Sequence, residues 1–106
     1  MGTSAIIHVQ GCPDIYLYKH WDGQPESTLP WLKKFNHEFT QKRGDDPPYK
    51  FAQLLRSSAF DAKMFNLDDS RTTGWGVYRT PSLQTVSDFE YVLLRDGNVD
   101  VMEKFT

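Results

Sequence analysis

Apolar and polar residues alternate with a period of two at both ends of the chain and with a helical period in its middle. Alternation of period two is typical of strands with one buried face, whereas apolar residues spaced three and four apart indicate amphipathic helices. The first pattern predicts strands over residues 15–20 and 88–94. A short run rich in β-branched residues indicates a strand over 4–10, and further short strands are predicted over 74–78 and 99–105. Polar loops are predicted over residues 67–73 and 80–87.

Two helices are predicted between the second and third strands. The first spans residues 28–42, with Ser27 or Thr28 as its N-cap. Gly44 follows a basic last turn and ends this helix. The second helix begins in the acidic and proline-rich stretch after Gly44 and carries an apolar stripe down to about residue 64. The short connection predicts that the two helices pack as a pair.

The order β-β-α-α-β-β-β predicts one α+β domain over residues 1–106. In this fold, one largely antiparallel sheet carries both helices on one face. Asp96-Gly97 joins the last two strands and is the strongest hairpin signal in the chain. The other face of such a sheet stays partly exposed, and the alternation assigns Tyr16, Tyr18 and His20 to it.

Composition narrows the class of protein without naming an activity. The 106 residues are 39% hydrophobic and 25% charged, which is the balance of a globular protein. The net charge of −2 disfavours a nucleic-acid partner. The single cysteine, Cys12, excludes an intrachain disulfide. No apolar run reaches the length of a membrane span. We therefore expect a soluble cytoplasmic protein, and no cofactor, because the chain lacks a nucleotide-binding fingerprint.

His20, Trp21 and Asp22 are consecutive, and they stand where the second strand gives way to the first helix. One interpretation is a small acid–base site, in which His20 works with Asp22 or with Glu90 from a later strand. The other interpretation is a structural turn, in which Asp22 bonds to backbone N–H groups, Gly23 takes a positive φ and Trp21 closes the end of the core. The sequence favours the structural interpretation.

A second polar and aromatic cluster begins with the glycine-flanked Trp75 and continues at the strand that contains Glu90. If that strand lies near the turn, the two clusters form one site. The candidate binding residues are Tyr18, His20, Trp21, Asp22, Trp75 and Tyr78.

Other kinds of site have weaker support. His8 and His20 lie on the two strands of the first hairpin, where they are able to meet, but no histidine pair has a zinc or iron spacing. No metal is therefore expected. Stacking of nucleic-acid bases on Tyr16, Tyr18 or Tyr91 is disfavoured by the acidic balance and by the lack of Lys or Arg between the rings.

The end of the second strand and the turn after it have the pattern Tyr-x-His-x-Asp-Gly-x-Pro, formed by Tyr18, His20, Asp22, Gly23 and Pro25. This segment resembles one in a group of small, mostly uncharacterised prokaryotic and phage-associated proteins. Gln24 stands where those proteins more often place an aromatic residue. The later stretches 74–78 and 88–91 are also similar to that group. The resemblance implies a cytosolic setting linked to a phage or mobile element, and no mechanism.

The leading hypothesis is a small non-enzymatic module that binds a protein partner or a second copy of itself, because no catalytic motif is strong and aromatic residues are in surplus. The alternative is a small acid–base hydrolase that uses His20 with Asp22 or Glu90. A concave site where these groups converge distinguishes the enzyme from the binding module.

Overall fold

A computed structural model describes residues 3–62, 75–79 and 87–103, except for the side chains of residues 59–62. Five strands and two helices follow one another in the predicted order. They are β1 Ala5–Val9, β2 Cys12–Lys19, α1 Pro25–Arg43, α2 Pro47–Ala62, β3 Trp75–Arg79, β4 Phe89–Leu93 and β5 Val99–Glu103. The α+β class is thus confirmed, and the predicted loops over 67–73 and most of 80–87 lie outside the described residues.

The five strands form one sheet in the order β3-β2-β1-β4-β5. β1 pairs in parallel with β4, whereas the other neighbouring strands are antiparallel. The prediction of a largely antiparallel sheet was therefore wrong, because the sheet is mixed. A parallel pair needs a long crossover connection. The chain between β1 and β4, which contains β2, both helices and β3, supplies it.

One face of the sheet carries both helices and holds the hydrophobic core. Leu32 of α1 and Phe51 and Leu54 of α2 pack in one buried cluster with side chains of the central strands. The strand residues of this cluster are Ala5, Ile7, Val9, Leu17, Tyr91 and Leu93. The helices also contact each other, since Trp31 Nε1 donates a 2.7 Å hydrogen bond to Ser57 Oγ.

Helix α1 begins at Pro25, three residues before its predicted start at residue 28, and Gln24 is its N-cap. Proline is well suited to the first helical position, because its missing N–H has no partner there in any case. The prediction of Ser27 or Thr28 as N-cap was wrong. The C-terminal prediction is confirmed: Gly44 has a φ of 78° and its N–H bonds to Thr40 O at 2.9 Å.

Buried polar groups attach the β4–β5 hairpin to the helices. Asn36 Nδ2 donates to Leu94 O at 3.0 Å and to Asn98 O at 2.8 Å. The Leu94 carbonyl also accepts from Lys50 Nζ at 3.2 Å. Burial lowers the pKa of the Lys50 ammonium, although Asp45 and Asp96 partly oppose this. The hairpin is therefore held by hydrogen bonds as well as by packing.

Strand ends differ slightly from the prediction. β2 begins at Cys12 and not at residue 15, and the β1–β2 register shifts between Ile7 and Val9. β5 is described to Glu103, and the rest of its predicted range lies outside the described residues. Neither described helix carries an apolar stretch of the length that a bilayer crossing requires.

Candidate functional site

The sheet face opposite the helices carries a row of aromatic and titratable side chains. Alternation places them there, since their neighbours Ile7, Leu17 and Tyr91 point into the core. We call this surface the tyrosine face; it consists of His8, Tyr16, Tyr18, Tyr78 and Glu90 on the strands, with His20 and Trp21 just beyond β2.

Three tyrosines form the centre of the tyrosine face. The Tyr16 and Tyr78 rings are stacked with centroids 6.0 Å apart, and Tyr18 meets Tyr78 edge-on at 5.6 Å. Tyr16 is only 4% exposed, whereas Tyr78 is 41% exposed. Such offset and edge-to-face geometries are the favoured arrangements of aromatic pairs. Tyr16 thus supports a ring, Tyr78, that is presented to solvent.

His8 and Glu90 are paired side chain to side chain on this face. His8 Nε2 lies 2.8 Å from Glu90 Oε2, and both side chains are partly buried. The parallel β1–β4 register sets Ile6 opposite Glu90, so the two partners are diagonal neighbours on adjacent strands. The His8 ring also lies against Tyr16, with centroids 5.2 Å apart. This pair was not predicted from the sequence, because it depends on the parallel pairing of β1 with β4.

His20 continues the row beyond β2. Its Nδ1 and the Tyr18 hydroxyl are joined by a 2.8 Å hydrogen bond, and its ring meets Trp21 edge-on at 5.2 Å. Burial raises the pKa of Tyr18; Asp88 and Tyr78 raise it further, whereas a hydrogen bond with Ser4 lowers it. Trp21 is 39% exposed, so it does not close the core as the structural interpretation expected.

The turn after β2 is anchored by its backbone. Asp22, and not Gly23, takes the positive φ, at 59°. Gly23 instead allows close packing, because the Cβ of any larger residue at this position would lie 2.7 Å from Ala5 Cβ. The Tyr91 hydroxyl donates to Gly23 O at 2.6 Å, and Thr28 Oγ1 donates to Asp22 O at 2.8 Å. This part of the segment therefore has a structural role.

Trp75 does not join the tyrosine face. It pairs with Lys19 on the helix-covered side, where its ring meets Trp31 at 5.6 Å and the Lys19 ammonium lies 4.3 Å from its centroid. The expectation that Trp75 and Tyr78 belong to one binding site is therefore corrected. Residues three apart on a strand point to opposite faces.

His20 and Glu90, which were predicted to converge with Asp22, each have a different partner. Glu90 is paired with His8, and the hydrogen-bond partner shown for His20 is Tyr18. The register sets Tyr18 and Glu90 on either side of Ile6, two strands apart. The face thus holds two separate polar groups, one around each imidazole.

No group of three or more His, Cys, Asp or Glu side chains is arranged to hold a metal within the described ranges. His8 lies near the β1–β2 turn, whereas His20 follows the far end of β2. The meeting of these histidines across the hairpin, which the sequence left open, is therefore not formed.

No protein-family model, curated protein or solved structure matches the chain. The resemblance of the Tyr18–Pro25 segment to a prokaryotic and phage-associated group thus gains no support from these comparisons and stays a prediction.

Proposed function

We propose that this chain is a non-enzymatic protein-interaction module whose binding surface is the tyrosine face. The observation that carries the proposal is the exposure of Tyr78 and Trp21, at 41% and 39%, beside the partly buried Tyr18. Tyrosine and tryptophan are enriched in protein interfaces because they bury a large area at low entropic cost. The sequence resemblance is the only support for a prokaryotic or phage-linked setting.

The arrangement of the rings supports a binding role. Tyr16, buried beneath Tyr78, and the Tyr18–His20 hydrogen bond hold the exposed groups in place before a partner arrives. Preorganised side chains lose little freedom on binding, so more of the contact energy contributes to affinity. Met102 extends the surface, because its strand position is opposite Glu90 and its side chain is 57% exposed.

Selection from a displayed random-peptide library tests the proposal. We expect enriched peptides to bind the native protein and to bind Tyr78→Ser at least about tenfold more weakly, through lost ring contact. Tyr49→Ser is the matched control, since Tyr49 is 43% exposed but lies on α2. Peptides that bind Tyr78→Ser as tightly as the native protein, or a selection that enriches none, contradict the proposal.

An acid–base enzyme is the second candidate, and the His8–Glu90 pair is the observation that favours it. A carboxylate that orients an imidazole is a common device of general-base catalysis. The predicted form of this candidate, with His20 as the base, has less support because His20 bonds to Tyr18. Hydrolysis of chromogenic esters or phosphoesters tests this candidate. Activity that is lost in His8→Gln but kept in His37→Gln favours the enzyme.

A further inference from the structure

Positive charge is segregated away from the tyrosine face. Every Lys and Arg in ranges 3–62, 75–79 and 87–103 lies on a helix, on the helix-covered side of the sheet or in the β4–β5 turn. On the sheet, Lys19 shares a face with the core residue Leu17, and Arg79 pairs with the core-packed Ile15. The turn residue Arg95 pairs with Asp45 at the start of the helix pair.

Negative charge lies on the tyrosine face itself. Glu90 belongs to it, and Asp100 shares its side because Asp100 pairs with Val92, whereas the flanking Val99 packs on the core. Asp88 stands just before β4, where its Oδ2 accepts from Ser4 N at 3.0 Å. Asp88 also contributes to the raised pKa of Tyr18, after the larger effect of burial. These carboxylates lie on or just before β4 and β5, on the far side of β1 from Tyr78. The tyrosine face therefore carries exposed rings towards its β3 edge and negative charge on its other half.

Elsewhere in this chain, aromatic rings are paired with cations. The Arg43 guanidinium lies 3.9 Å from the Tyr49 ring centroid, and the Lys19 ammonium lies 4.3 Å from that of Trp75. An aromatic face attracts a cation through its quadrupole. Tyr78 and Trp21 offer the same chemistry to solvent, on the sheet face whose other half carries Glu90 and Asp100.

Resting on the proposed interaction role, we infer that the tyrosine face binds a partner-protein segment rich in arginine or lysine. Guanidinium or ammonium groups stack on Tyr78 and Trp21. A cation further along the same segment, which crosses the strands, pairs with Asp100, the diagonal neighbour of Glu90 across β4 and β5. The same carboxylates repel phosphates, so a nucleic acid does not fit this surface. Charge complementarity of this kind speeds association and selects against acidic partners.

A titration followed by amide NMR tests this inference on the full chain. The probe is a short peptide of alternating arginine and glycine, and its control replaces each arginine by citrulline, which has the same shape without the charge. We expect saturable binding with shifts centred on Tyr18, Tyr78 and Asp100. Added salt weakens it, and the citrulline peptide binds at least about tenfold more weakly.

Variants locate the binding. Tyr78→Ser and Asp100→Asn are each expected to weaken the arginine peptide several-fold, whereas Tyr49→Ser and Glu38→Gln on the helices are not. Circular dichroism and thermal unfolding confirm that each variant is folded, and a variant that unfolds is replaced by Tyr78→Leu or Asp100→Ser. Absence of saturable binding, equal binding of the citrulline peptide, or shifts confined to the helices overturns the inference.

The library selection separates failure of the inference from failure of the proposed function. If the selected peptides depend on Tyr78 but are neutral or acidic, the tyrosine face is an interaction surface and the cationic partner is wrong. If no selected peptide depends on Tyr78, both proposals fail. Enrichment of arginine or lysine among Tyr78-dependent peptides supports both.

Discussion

The Tyr91 hydroxyl reaches from β4 across the helix-covered face and donates a 2.6 Å hydrogen bond to the Gly23 carbonyl. Tyr91 is fully buried, and Gly23 is buried in the turn before α1. This contact joins a late strand to the turn that follows the first hairpin. It fixes the base of the loop that presents His20 and Trp21.

Removing this hydroxyl is expected to destabilise the protein. Tyr91→Phe leaves the Gly23 carbonyl without its donor, and a buried acceptor that loses its partner costs about 1–3 kcal/mol. Urea denaturation measures the change in the free energy of unfolding. Tyr49→Phe, on an exposed ring, serves as the control and is expected to change it by less than about 0.5 kcal/mol. A Tyr91→Phe protein as stable as the native one contradicts the buried hydrogen bond.

The same residue predicts an alkaline loss of stability. Burial raises the pKa of Tyr91 from 10.0 to about 12, so the folded state keeps a proton that the unfolded state releases. The stabilisation is present below pH 10 and is lost as the pH rises towards 12. Over this window, unfolding free energies should fall more steeply for the native protein than for Tyr91→Phe. Parallel profiles for the two proteins exclude this linkage.

Gly23→Ala is expected to be strongly destabilising. Its Cβ would lie 2.7 Å from Ala5 Cβ and 2.8 Å from the Ser4 carbonyl carbon, so the backbone must move. Overpacking of this kind costs about 1–3 kcal/mol. Gly44→Ala is the comparison. Its Cβ would meet open space, so only its backbone, with φ of 78° and ψ of −143°, opposes alanine, at about 1–3 kcal/mol. Thermal unfolding of both variants compares the two effects, and a Gly23→Ala protein of native stability disproves the tight contact.

Asn36→Ala is expected to loosen the β4–β5 hairpin. The buried amide donates to both Leu94 O and Asn98 O, and its loss should cost about 2 kcal/mol. Hydrogen exchange should then accelerate in β5 more than in β2. Glu38→Ala, at an exposed position of the same helix, should leave both strands unchanged. Equal acceleration in the two strands contradicts a local attachment.

His20→Ala separates a functional from a structural role. Because His20 is exposed and bonds only at the surface to Tyr18, we expect a stability change within about 0.5 kcal/mol. Denaturant unfolding measures it. A loss of about 2 kcal/mol identifies His20 as a structural group and weakens the case for the tyrosine face.

Much of the fold follows from residue periodicity, because burial of one face repeats every two residues in β4 and about every three to four in α2. Strand direction does not follow from it, since the alternation of β1 is the same whether β4 lies parallel or antiparallel. The parallel pairing of β1 with β4 depends on the long connection between them, which only the tertiary structure reveals.

The period-two alternation also explains why the candidate site was predicted only in part. Tyr18, Tyr78 and His20 fall on one face, as the period-two pattern allows, whereas the joint placement of Trp75 and Tyr78 ignored that pattern. The alternation itself separates these two residues, because they are three apart on β3. The His8–Glu90 pair had no signal in the sequence, because it depends on the parallel register.

β1 lies at the centre of the sheet, between β2 and β4. During synthesis, β1 leaves the ribosome before the other strands of this sheet. It can pair early with β2, whereas its second edge stays unpaired until β4 has been made. Until β4 is made, that edge offers open backbone groups to other nascent chains. The order of translation therefore leaves the most central strand incomplete until late, so aggregation competes with folding at this edge.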